Sequence, residues 1–188
     1  MLHPKDNPVS KGETQVSTQA SDVAECAQMG ALAEAHAKFK PFAGTFTAEV
    51  KMWMGPGDPH VSTGVMINTL ELGGRFLHHS YQGDQADGPF PNFQGRGYWG
   101  YNTNAGKYEG VWIDSASTLI QTETGDVDAS GKVWTMIGQV TNPQTGQPMQ
   151  KRSVITLQDS DRHRVEMFFQ GPDGNEFKAM EISYTRRG

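Results

Sequence analysis

From Gly44 onward, apolar and polar positions alternate along the chain in short runs. Phe46, Ala48, Val50, Met52 and Met54 fall on one side of an extended segment, and Thr45, Thr47, Glu49 and Lys51 on the other. A period of two is the mark of a half-buried strand. Further strand-like runs follow at about 60–70, 74–82, 93–101, 107–114, 117–124, 132–140, 150–158, 162–170 and 175–186. Between them stand turn signals such as Gly73-Gly74, Asn102 to Gly106, Asp126 to Gly131 and Gly171-Pro172-Asp173-Gly174. The pattern predicts roughly ten strands with short links and no helical crossover, hence an all-β, antiparallel, up-and-down arrangement. A sheet of that length either closes on itself or splits into two layers. Closure into a barrel removes exposed edges, so a barrel is the expected form and a β-sandwich the runner-up.

The stretch Phe93 to Asp114 sharpens this expectation. A hairpin that sets Tyr101 opposite Tyr108 also sets Trp99 opposite Gly110 and Trp112 opposite Gly97. A large ring over a bare backbone fills the gap that glycine leaves and suits a strongly curved sheet. Strand parity leaves open which face of this hairpin lines the interior.

Ahead of the strands the periodicity differs. Residues 1–20 are rich in Ser, Thr, Gln, Lys and Pro, and are expected to form a mobile tail. Over 21–43 a helical segment is expected: Asp22 and Glu25 suit a capping box, and Cys26, Met29, Leu32, His36 and Phe39 recur at helical spacing. Pro41 then ends the helix, and 44–188 forms the barrel domain.

Composition bounds function more than it defines it. The 188 residues carry a formal net charge of −5, and the basic residues are scattered, which argues against a nucleic-acid surface. No apolar run approaches the roughly 20 residues of a membrane span. The first twenty residues lack the apolar core of a signal peptide and Cys26 is the single cysteine, so a reducing, cytoplasmic setting is expected. Cys26 sits among alanines with no activating neighbour, which makes it a poor nucleophile.

The segments Leu72 to Leu77, Gly97-Tyr98-Trp99-Gly100-Tyr101-Asn102, Val111 to Ser115 and Met180 to Arg186 resemble a bacterial family known as domain of unknown function 1579. The lead-in His36, Phe39, Phe42 and Gly44 is similar to that family's opening, although Phe46 stands where its members usually carry tryptophan. The resemblance implies a calycin-like barrel, related to lipocalins, and no established activity. It further implies a structural latch in which Arg186 on the last strand meets Gly44-Thr45-Phe46 on the first. A guanidinium stacked on an aromatic ring is worth about 0.5–2 kcal/mol.

Candidate chemistry is sparse. Tyr101 and Trp112 are candidates for lining a pocket with Asp114 supplying polarity at its end, against the plainer role of packing and covering glycines. His78 and His79 point to opposite faces and so cannot jointly hold a metal; Tyr81 and Arg75 share the His79 side by parity. An inward His79 could serve as a base or haem-iron ligand, whereas an exposed or hydrogen-bonded histidine is the commoner case. His36 is expected to be a satisfied core or cap histidine, and His163, between Arg162 and Arg164, a solvated one. Asp126 to Gly131 mimics half a calcium loop but lacks its closing glutamate, Ile137 standing there, so it is expected to be a hairpin turn. Met52, Met66, Met136, Met167 and Met180 fall on strands, where flexible thioethers fill irregular gaps or pad a cavity.

The leading expectation is a barrel that binds a small, largely apolar or amphipathic molecule through Tyr101, Trp112, Asp114, His79, Tyr81 and Arg75. An enzyme using the same pocket, with His79 or Asp114 as acid–base, is one alternative; no cofactor is identified. A non-catalytic module that forms homodimers through its helix or an outer aromatic face is the other.

Overall fold

The computed structural model of the chain describes residues 30–86, 89–142, 145–171 and 173–188. The expected tail over 1–20, the Asp22–Glu25 capping box and Cys26 lie outside the described residues.

Ten antiparallel strands close into a barrel in which each strand pairs with its sequence neighbours and the last returns to the first. They are β1 (Gly44–Met52), β2 (His60–Glu71), β3 (Phe76–Gly83), β4 (Gln94–Asn102), β5 (Lys107–Asp114), β6 (Gln121–Val127), β7 (Val133–Thr141), β8 (Pro148–Leu157), β9 (Arg162–Gln170) and β10 (Glu176–Arg186). Alternation decides what faces inward: Phe46, Ala48 and Val50 on β1 are buried while Thr47 and Glu49 between them are exposed.

The expected hairpin register is present, with Tyr101 opposite Tyr108, Trp99 opposite Gly110 and Trp112 opposite Gly97. The tryptophans and glycines point inward, and Arg96, Tyr98, Val111 and Ile113 point out. Close approach explains the glycines. A Cβ on Gly97 would stand 2.8 Å from the Trp112 ring, and one on Gly110 would stand 3.0 Å from that of Trp99.

Two parts of the pattern differ from expectation. Within the described residues the helical segment is short: α1 (Glu34–Ala37) is followed by a 3₁₀ turn at Lys40–Phe42 that has Pro41 in its first positions. Strand β6 starts at Gln121 rather than near 117, because Ala116 to Ile120 form an exposed connection with Ile120 74% accessible. The hairpin after β6 is held by Asp128, whose carboxylate accepts hydrogen bonds from Ser130 Oγ (2.8 Å) and from the backbone N–H of Lys132 (3.2 Å) and Val133 (3.1 Å). These donors hold the Asp128 carboxyl below its ordinary range, the Ser130 hydrogen bond contributing most.

The short helical segment plugs one end of the barrel. Phe39 and Phe42 are fully buried there against Leu77, Tyr108, Trp134, Met136 and Ile155. Phe42 meets Trp134 edge-on, with 5.2 Å between ring centroids, and Trp99 at 5.7 Å. His36 accepts a hydrogen bond at Nδ1 from the backbone N–H of Ala33 (2.9 Å) and is buried against Phe39 and Tyr101. The opposite end carries the connections β1–β2, β3–β4, β5–β6, β7–β8 and β9–β10. Among the described residues no helix is long and apolar enough to cross a membrane.

The seam between β1 and β10 is fastened at the plugged end. Arg186 lies opposite Phe46 in the register, and its guanidinium carbon is 4.6 Å from the Phe46 ring centroid. The same guanidinium donates to the carbonyls of Ala43 (2.8 Å), Pro41 (2.7 Å) and Ser160 (2.8 Å). Gly44, at φ +132°, has no room for a side chain beside it.

Candidate functional site

Above the plug the barrel encloses a cavity of about 440 Å³ that opens toward the unplugged end, where Trp53, Met54, Phe90 and Phe93 surround its mouth. One wall is apolar: Val50, Met66, Met167, Met180 and Ile182 come from β1, β2, β9 and β10. A β-bulge at Ala179, where the β9–β10 register slips between Lys178 and Met180, brings Ala179 to this wall as well.

The facing wall, from β5, β6 and β8, is polar. The indole Nε1 of Trp112 donates to Asp114 Oδ2 (3.1 Å), which also accepts from Gln121 Nε2 (3.4 Å). Lys151 Nζ donates to Gln121 Oε1 (3.4 Å) and stands 3.4 Å from Glu123 Oε2, the oxygen that accepts from Ser153 Oγ (2.9 Å). Lys151 and Ser153 are buried, and the Glu123 side chain is 14% accessible. An ammonium and a carboxylate removed from water in this way need each other and their auxiliary hydrogen bonds.

The deep end is polar without charge. Asn68 Nδ2 donates to the Phe42 carbonyl (2.9 Å), which orients the amide so that Oδ1 faces His79 Nδ1 at 2.8 Å. That network assigns the imidazole proton to Nδ1 and leaves Nε2 as an acceptor. Burial pushes His79 down to about 3, and neighbouring His78 adds to the shift. His163 is 5% accessible, stacks on Tyr184 and meets Phe42 and Phe46 edge-on. Burial pushes it to about 3 too, helped by His79 and Arg186. Both imidazoles are therefore neutral near pH 7. Burial also raises the phenols: Tyr81 to about 12, with Asp84 contributing, and Tyr184 further, with Tyr81 contributing.

Of the residues expected at a pocket, Trp112, Asp114, His79 and Tyr81 line this cavity, whereas Tyr101 and Arg75 do not. Tyr101 does face inward, but at the plugged end, where it packs against His36 (5.7 Å) and Tyr108 (5.0 Å). Arg75 lies in the turn between β2 and β3, where strand parity no longer applies, and its Nη1 donates to the Leu72 carbonyl at 3.0 Å. His163 is a correction: it is buried, because Arg162 and Arg164 point outward and it shares its side with Val165, Met167 and Phe169. The cavity also takes in Asn68, Gln121, Glu123, Lys151, Ser153 and Tyr184, none of which the sequence had marked. Among the described residues no group of three or more His, Cys, Asp or Glu could hold a metal ion.

Residues 32–186 match the family model described as "Protein of unknown function (DUF1579)". The chain belongs to this family. DUF1579 carries no assigned activity in its description, and among curated proteins no match was found. Among solved structures, Rv2717c from M. tuberculosis is similar at a TM-score of 0.60 and 17% identity, over 84% of this chain and 100% of that one. A redesigned β-barrel, b11L5F_LGL, aligns at a TM-score of 0.42 and 15% identity, over 85% of this chain and all of the other. At such identity the likeness to Rv2717c supports the barrel fold alone.

Proposed function

We propose that this DUF1579 protein is a binding barrel for a small, largely apolar molecule held in the central cavity. The observation that carries this reading is the cavity itself: about 440 Å³, open at one end, walled by aromatic and aliphatic side chains with a few fixed polar groups. That size and lining are those of small-molecule sites. Trp112 and Trp99 supply flat surfaces for a ring or chain, and the methionines on β2, β9 and β10 adapt to its outline. Asp114 holds the Trp112 indole in place from below the mouth.

Binding is favoured over acid–base turnover by the state of the histidines. An imidazole that stays neutral far below pH 7 serves as a hydrogen-bond acceptor, and its conjugate acid is too strong to shuttle protons efficiently near neutrality.

Two measurements test the reading. Native mass spectrometry of freshly purified protein is expected to reveal a co-purifying small molecule at up to one per chain. Titration with the uncharged dye Nile red is expected to give saturable one-site fluorescence enhancement that added apolar compounds reverse. A folded protein that neither carries a small molecule nor binds the dye saturably would overturn the proposal.

A further inference from the structure

Resting on the binding reading, the deep end of the cavity has a chemistry specific enough to name the class of ligand. Four side chains converge there from β3, β9 and β10: His79, Tyr81, His163 and Tyr184. These side chains line the cavity, and their polar atoms are incompletely satisfied within the protein. His79 commits Nδ1 to Asn68, and no described residue bonds its Nε2. Among the described residues none hydrogen-bonds the ring nitrogens of His163 or the hydroxyls of Tyr81 and Tyr184, although His163 and Tyr184 are each 5% accessible. A ligand that fills the cavity separates these groups from solvent, so one that meets them gains from each hydrogen bond it makes and one that cannot leaves them unpaired. The donors and acceptors are mixed: an imidazole acceptor at His79, and phenols that burial keeps protonated and able to donate.

Charge settles what the ligand's inner end is not. Lys151 is the one Lys or Arg among the described residues lining the cavity, and it is engaged by Glu123 and Gln121. Asp114 and Glu123 line the same space, so the formal balance of these three groups is one negative charge (two carboxylates, one ammonium). A carboxylate or phosphate entering there meets no free cation to offset the hydration it loses.

We propose that the cavity selects ligands whose buried end is an uncharged hydroxyl or carbonyl on an aromatic or alicyclic body, and that it discriminates against carboxylates of the same shape. A site built to hydrogen-bond a hydroxyl also rejects the analogue that lacks it, because its own polar groups then stay unpaired. Small residues make the arrangement possible. The ring of Tyr81 lies over Gly64, where a Cβ would also come 2.6 Å from the Gln82 carbonyl, and Tyr184 lies opposite Ala48.

The test compares three probes with one body: 2-naphthol, 2-naphthoate and naphthalene, titrated into the full chain at pH 7.5 and followed by tryptophan quenching. The expected order is 2-naphthol at least tenfold tighter than either of the others. In a His163→Phe, Tyr184→Phe double variant, which keeps an aromatic ring at each position and removes the polar atoms, the advantage of 2-naphthol over naphthalene is expected to shrink to threefold or less. A preference for 2-naphthoate, or equal binding of all three, would overturn this proposal and leave the binding reading standing. If no naphthyl probe quenches a folded protein that binds Nile red, this proposal alone fails; if Nile red binding and a co-purifying molecule are absent too, the binding reading itself fails.

Discussion

The imidazole of His163 lies flat against the phenol ring of Tyr184, with 4.4 Å between centroids and 16° between planes. Packed so closely, and with Phe42 and Phe46 edge-on around it, the His163 ring is largely withdrawn from solvent. That arrangement has a consequence for stability. His79 and His163 both have folded values near 3 against 6.5 for an unfolded histidine. Above pH 6.5 both states are neutral at these sites and stability is independent of them. As pH falls from 6.5 toward 3, the unfolded chain takes up two more protons than the folded one, and stability drops. The slope is about 1.4 kcal/mol per pH unit for each histidine. Urea unfolding midpoints measured from pH 7.5 to 5 are therefore expected to decline below 6.5, and to decline about half as steeply in His163→Phe. A midpoint that stays level down to pH 5 would show that both imidazoles take up protons freely in the native barrel.

Lys151 and Glu123 make a second prediction. Replacing Lys151 by Met leaves Glu123 buried with Ser153 as its partner, and is expected to cost about 3–5 kcal/mol. The paired replacement Lys151→Met with Glu123→Gln removes the uncompensated charge and is expected to recover most of that loss. A double-mutant cycle by chemical denaturation measures the coupling; additive losses would mean that the two charges are solvated independently.

At the seam, Arg186→Ala removes the contact with Phe46 and the hydrogen bonds to three carbonyls at once. The expected loss is about 2–4 kcal/mol, with Arg186→Lys intermediate because an ammonium cannot spread over the same acceptors. Phe46→Trp, which enlarges the ring face, is expected to raise the thermal midpoint if the pocket around Phe46 repacks. Hydrogen exchange in β1 and β10 offers a local check: an unlatched barrel should lose protection there before elsewhere.

The tryptophan–glycine pairs can be tested from the glycine side. Gly97→Ala places a methyl 2.6 Å from the Val111 carbonyl and 2.8 Å from the Trp112 ring, and is expected to destabilise the barrel by about 1–3 kcal/mol. Because Trp112 lines the cavity, the same change is expected to weaken Nile red binding even where the protein remains folded. Unaltered stability and binding together would mean that the ring is free to move aside.

Much of the fold was legible because glycine and tryptophan spacing around the Asn102–Gly106 turn leaves few registers in which large rings meet bare backbone. The interior chemistry was harder to see. In β6, Gln121, Glu123 and Gly125 alternate with Thr122, Thr124 and Asp126, and Val127 at the strand's end is the one apolar side chain, so hydrophobicity marks the inward face only weakly. A strand so poor in apolar residues inside a closed barrel must turn polar groups to the interior, and that, with the parity shared with Val127, was the available signal for Gln121 and Glu123. His163 had a clearer one: it shares parity with Val165, Met167 and Phe169, which outweighs the two arginines beside it. Tyr101 shows the limit of parity, which gives the side of the sheet but not the depth along the strand. That depth is decided by Phe39 and Phe42, whose place inside the barrel no local pattern reveals.

The bond from Arg186 to the Ala43 carbonyl joins positions 143 residues apart, and the β1–β10 ladder it anchors spans nearly the same interval. While the polypeptide is still emerging from the ribosome, β1 can pair with β2 on one flank only, and its other flank waits for the final strand to be synthesised. Nascent chains therefore pass through a long interval with an open ladder at their first strand, the situation in which strands of neighbouring polyribosome products can cross-pair.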